Sequence, residues 1–74
     1  MLMVAVVRQV RPHNLLVQDL STFQEVLVHT RSAQCFHPGD RVRIWYDGTM
    51  TQSLPPQITA LNIRRICWNG HSCG

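Results

Sequence analysis

Residues 41–46, RVRIWY, alternate without a break: Val42, Ile44 and Tyr46 at even positions, Arg41, Arg43 and Trp45 at odd ones. This is the two-residue period of a strand that buries one face. A slip of one residue would drive two guanidinium groups inward and expose both aliphatic side chains. Only one register is therefore compatible with a core. Val42, Ile44 and Tyr46 are predicted inside, and Arg41, Arg43 and Trp45 outside. Asp47-Gly48 follows, a hairpin signal that predicts 49–51 folding back beside this strand.

The rest of the chain reads in the same way, as short Val/Leu/Ile-rich segments separated by turn residues. A first strand is predicted over 3–10, apolar on both faces at its start, and Pro12 and Asn14 supply the turn after it. Second and third strands follow over 15–20 and 24–29. Residues 30–40 break the pattern. Thr30 or Ser32 can cap a helical turn, Phe36 (with Cys35 as a second candidate) can plug the core, and Pro38-Gly39 ends the turn. Pro55 and Pro56 lack N–H donors, so 53–57 cannot lie in a central ladder and should cross in extended form. The last strand is predicted over 58–66, with Arg64 and Arg65 at its terminus.

These elements describe an all-β domain, a small five-stranded OB-like barrel over 1–66 with a vestigial helical turn between strands three and four. An SH3-like barrel is the competing topology. Residues 67–74 have no period and read as a flexible C-terminal tail. The run from Phe36 to Ile63 resembles the C-terminal half of small bacterial domains of unknown function that form OB-like barrels. The matching residues are Pro38, Gly39 and Asp40, where a turn opens a strand, and then Ser53, Pro55 or Pro56, and Gln57 before the final strand. The resemblance covers about half of the chain, rests on turn motifs, and implies a fold without an activity.

Composition narrows the function classes. The chain has 74 residues, 45% hydrophobic and 15% charged, the profile of one small globular domain. Its formal charge of +3 comes entirely from arginine set against Asp19, Glu25, Asp40 and Asp47. The arginines are scattered singly and in pairs, not run together as in dedicated nucleic-acid tails. The apolar start, 1–7, has no basic leader and no cleavage site, and no run approaches the length of a membrane span. With three cysteines, an odd number that argues against a closed disulfide framework, a reduced, cytoplasmic compartment is expected.

Two constellations could carry chemistry. Arg41, Arg43 and Trp45 share a strand face, where guanidinium groups can contact phosphates and an indole can stack a base. Otherwise they form a solvated exterior whose long side chains cover apolar neighbours. Cys67, His71 and Cys73 form C-x3-H-x-C, and Cys35 with His37 could complete a tetrahedral zinc set. That spacing matches no finger or ribbon, and a tail carrying two thiols is the simpler reading, so no cofactor is expected. Cys35 and His37 are too close in sequence for an ordinary nucleophile and base. The carboxylates are dispersed, Asp40 and Asp47 in turns.

The expected function is thus a non-enzymatic binding or interaction module that meets a protein partner or copies of itself. Exposed Leu27, Trp45 and Trp68 and incomplete closure between strands three and five motivate that reading. The alternative is single-stranded nucleic-acid binding through Arg41, Arg43 and Trp45.

Overall fold

The computed structural model describes residues 1–66. The tail expected over 67–74, with Cys67, Trp68, His71 and Cys73, lies outside the described residues. The described residues are all-β: β1 (Leu2–Val10), β2 (Asn14–Asp19), β3 (Glu25–His29), a 3-10 turn (Ala33–Cys35), β4 (Arg41–Trp45), β5 (Gln57–Thr59) and β6 (Asn62–Arg65). All six strands belong to one sheet in the order β5-β3-β2-β1-β4-β6. Every neighbouring pair is antiparallel except β3 and β5, which run parallel. Among the described residues no helix is long and apolar enough to cross a membrane.

The alternation along β4 sets the core. Val42 and Ile44 are fully buried and Tyr46 nearly so, while Arg41 and Arg43 are exposed. Ala5 and Met3 of β1 lie directly opposite Val42 and Ile44, and Ile63 of β6 lies on the other side of Ile44. Leu15, Val17, Val26, Val28 and Ile58 fill the remainder from β2, β3 and β5. Phe36 closes one end of the core as expected, but its companion is Ala33, and Cys35 is exposed. The 3-10 turn points its one alanine inward, and a thiol two residues on falls on the solvent side.

β1 is the central element, shared between β2 and β4. Its ladder with β2 skips between Val7 and Gln9, so Arg8 is the extra residue of a bulge. The skip reverses parity, which lets Val7 and Val10 both pack on the core although an odd number of positions separates them. Two loop residues then tie into β1, Gly39 N–H donating to Val7 O (2.7 Å) and Val7 N–H to Asp40 O (2.8 Å). His37 to Asp40 forms a turn closed by Asp40 N–H on His37 O, and Gly39 sits at φ +94° within it, a conformation that favours glycine.

Two expectations fail in the second half. Asp47-Gly48 does form a turn, with Asp47 Oδ1 accepting Thr49 N–H at 2.8 Å and Gly48 at φ +95°. However, 49–51 do not return beside β4, because β1 and β6 already occupy both of its edges. Thr51 instead pairs with Gln57, through its N–H to Gln57 O and its Oγ1 from Gln57 N–H. The single last strand is also two. Residues 57–59 run parallel to β3, and after Ala60 and Leu61 the chain pairs antiparallel with β4, giving six strands in place of five. Strands three and five, expected to meet poorly, form a parallel ladder from Leu27–Gln57 to His29–Thr59.

Arg65 fastens the end of β6 to the 3-10 turn and the loop that follows it. Its Nε donates to Asp40 Oδ2 (3.1 Å), its Nη2 to Cys35 O (2.7 Å), and its guanidinium lies 5.8 Å from the Phe36 ring centroid. Replacement by alanine should lower unfolding free energy by about 1–3 kcal/mol, and Arg65→Lys should recover only part, since an ammonium lacks the planar fork. In the core, Ile44→Ala should cost about 2–5 kcal/mol. Chemical denaturation of both sets, each against wild type, measures these losses.

Candidate nucleic-acid interface

On the outer face of β4 the side chains run Arg41, Arg43, Trp45, and the neighbours in register complete a strip. Val6, Val4 and Leu2 of β1 lie opposite these three residues in turn. On the other side Arg64 is opposite Arg43, and Asn62 is opposite Trp45. Val4 and Val6 are half-buried although they point away from the core, which fits coverage by the aliphatic stems of the adjacent arginines. Trp45 stays on the outer face as predicted but is half-buried, and with Arg43, Arg64 and Ile66 it lines a shallow recess of about 190 Å³.

The Arg43–Arg64 pair is electrostatically unusual. Directly opposed like charges on neighbouring strands, with Cβ atoms about 5 Å apart, repel each other. Neither guanidinium has an ion-pair partner among the described residues. Asp40 is engaged by Arg65. Asp19 and Asp47 are held in their own turns, accepting Ser21 N–H and Thr49 N–H at 2.8 Å. Arg43 and Arg64 therefore present positive charge without an ion-pair partner among the described residues, and an anion laid across them would relieve the repulsion.

Arg64 is the residue that sequence reasoning missed. At the end of a strand it has no face of its own in the sequence; the β4–β6 register gives it one. The available signal is the spacing of Ile58 and Ile63. Five positions apart, they cannot share one face of a regular strand, so a break between them fixes the parity of the residues beyond it. Phe23 is a second surprise, an exposed ring (69%) at φ +61° in the β2–β3 turn. Of the apolar residues expected to be exposed, Leu27 and Trp45 are half-buried and Trp68 lies outside the described residues; among the described residues Leu54, Met1 and Leu61 protrude furthest.

A larger groove, about 680 Å³, runs between the β1–β2 turn and the β5–β6 connection and is lined in part by His13, His29 and Cys35. His29 Nε2 is already bonded to Gln57 Oε1 at 2.8 Å. His37 does not line this groove with Cys35, so the two are not brought together there. Among the described residues no three His, Cys, Asp or Glu side chains are placed to hold a metal ion. The remaining proposed ligands, Cys67, His71 and Cys73, lie outside those residues.

No family model, curated protein or solved structure matches this chain.

The repulsion has a direct consequence for stability. Arg43→Ala should leave the fold unchanged or slightly more stable. Added salt should stabilise wild type more than the variant, because it screens a repulsion that only wild type carries. Thermal melts of both proteins across a salt series read this difference.

Proposed function

We propose that this chain is a small, non-enzymatic binding module on an OB-like barrel, and that its Arg41, Arg43, Arg64 and Trp45 strip binds single-stranded nucleic acid. The observation that carries the reading is the juxtaposition of Arg43 and Arg64, with no ion-pair partner among the described residues, beside an indole at the same surface.

Support for the barrel comes from the sheet order. Its two edge strands, β5 and β6, are consecutive in the chain and joined by Ala60 and Leu61 alone. Ala60 N–H donates to His29 O on β3 (3.0 Å) and Leu61 N–H to Trp45 O on β4 (2.7 Å), so the connection bonds to both sides of the remaining gap. Counted as one bent strand, β5 and β6 make five strands, with the 3-10 turn between the third and fourth, the OB order. The resemblance of Pro38-Gly39-Asp40 and the Ser53–Gln57 element to small bacterial OB-like domains supports the same topology. An exposed free thiol at Cys35 fits a reduced, cytoplasmic setting.

The strip matches a single strand in scale. Alternate residues along β4 are about 6.6 Å apart, comparable to the spacing of successive phosphates in an extended strand, and the indole offers a stacking surface at the end of the row. Non-catalytic binding is favoured because Asp19 and Asp47 serve their own turns and Asp40 serves the Arg65 clasp.

Fluorescence anisotropy with mixed-sequence single-stranded oligonucleotides at low salt tests the proposal. Affinity should fall with a log–log salt slope of about −2, as three phosphate contacts give. Arg43→Ala should make that slope shallower by about 0.7, and Trp45→Ala should weaken binding without changing it. Absence of binding even at the lowest salt would sink the reading.

A further inference from the structure

On the opposite side of the sheet from the arginine strip in strand order, β2 and β3 present a second surface. Leu16 and Leu27 are directly opposed there, both half-buried. With Pro55 and Pro56 they line an open groove of about 490 Å³. Leu54 stands on the rim, 93% exposed, the most exposed large apolar side chain among the described residues. The loop holds it out from a fixed base: Leu27 N–H donates to Pro56 O (2.9 Å) and Ser53 Oγ to Pro55 O (2.9 Å).

The charges around this groove are arranged with a direction. Gln9 pairs with Leu16, and Arg11 lies beyond it at the β1–β2 end, bonded through Nη2 to Gln9 Oε1 at 3.3 Å. Glu25 pairs with Gln18, on the other side of the Leu16–Leu27 row. Both Arg11 and Glu25 line the groove, and neither has an ion-pair partner among the described residues. The surface thus reads positive, apolar, negative along one line. Turned through half a rotation it reads negative, apolar, positive, which is its own complement and the condition for an isologous contact.

We propose that this surface docks a second copy of the chain. Leu54 of each copy enters the groove of the other, the two Leu16–Leu27 rows pack across the axis, and Arg11 faces the partner's Glu25 at both ends. A knob and its hole on the same surface, bounded by opposite charges, specify this occupant over an unrelated apolar partner. The arginine strip on β4 and β6 takes no part, so the dimer does not depend on nucleic-acid binding.

Sedimentation equilibrium of the whole chain without nucleic acid, across a concentration series in the micromolar range, tests the arrangement. Wild type should show a reversible monomer–dimer equilibrium. Arg11→Glu and Glu25→Arg should each weaken it by about tenfold or more, by setting like charges against each other at both ends. The double variant R11E/E25R restores opposite charges and should return the association to near wild type. Leu54→Ser should weaken it by about tenfold, and Arg43→Ala should not change it. The substituted groove residues are on the surface, and circular dichroism confirms that each variant is folded before it is compared. A strictly monomeric wild type overturns the proposal. So does association indifferent to all of these changes, or a double variant that stays as weak as the single ones.

Discussion

Burial of Val42 and Ile44 is the constraint on which the rest of this structure depends. Between Ala5 and Met3 on one side and Ile63 on the other, these side chains admit one register for β4. Once they are inside, Arg41, Arg43 and Trp45 must point out. β1 and β6 then bring Val4, Val6 and Arg64 to the same outer face as a geometric consequence. The arginine strip is thus the reverse side of the core, specified by the hydrophobic effect acting on its neighbours and not by any affinity of arginine for arginine. The cost of opposing two guanidinium groups is small against the burial of two aliphatic side chains.

Strand identity was legible in the sequence wherever apolar alternation was long enough to have a phase. β2, β3 and β4 fall within a residue or so of their expected limits, and the Pro38-Gly39-Asp40 turn lies where its residues placed it. Pairing could not be read locally. Asp47-Gly48 has the composition of a hairpin tip, yet whether a hairpin forms depends on a vacant edge, and both edges of β4 are taken by segments distant in sequence. The same limit applied to the site. Arg41, Arg43 and Trp45 were visible from their own strand, whereas Arg64 acquired its place only through a register between strands separated by the long loop.

The two surfaces divide the molecule's chemistry. The β4–β6 side gathers guanidinium groups, with Asp40 diverted to Arg65. The β2–β3 side pairs leucines and sets one charge of each sign at opposite ends. Because each faces outward from a different part of the sheet, an assembly formed through the leucines would carry two arginine strips at once. Two weak electrostatic contacts to one flexible strand act at high effective concentration, so modest affinity per strip could yield firm retention.

The change of partner at Ala60 and Leu61 bears on how the chain reaches this state. β1, β2 and β3 can form a meander from neighbouring segments, but β4 must return to β1 across the whole of that meander. β5 and β6 need β3 and β4 as their respective partners, and the two residues between them bond to one of each. Loop-closure entropy is therefore borne late and over long sequence separations, the pattern of slow β folders. The edge of β3 is covered only by 57–59 and that of β4 only by 62–65, so a chain ending short of these residues would expose both edges to pairing with other strands.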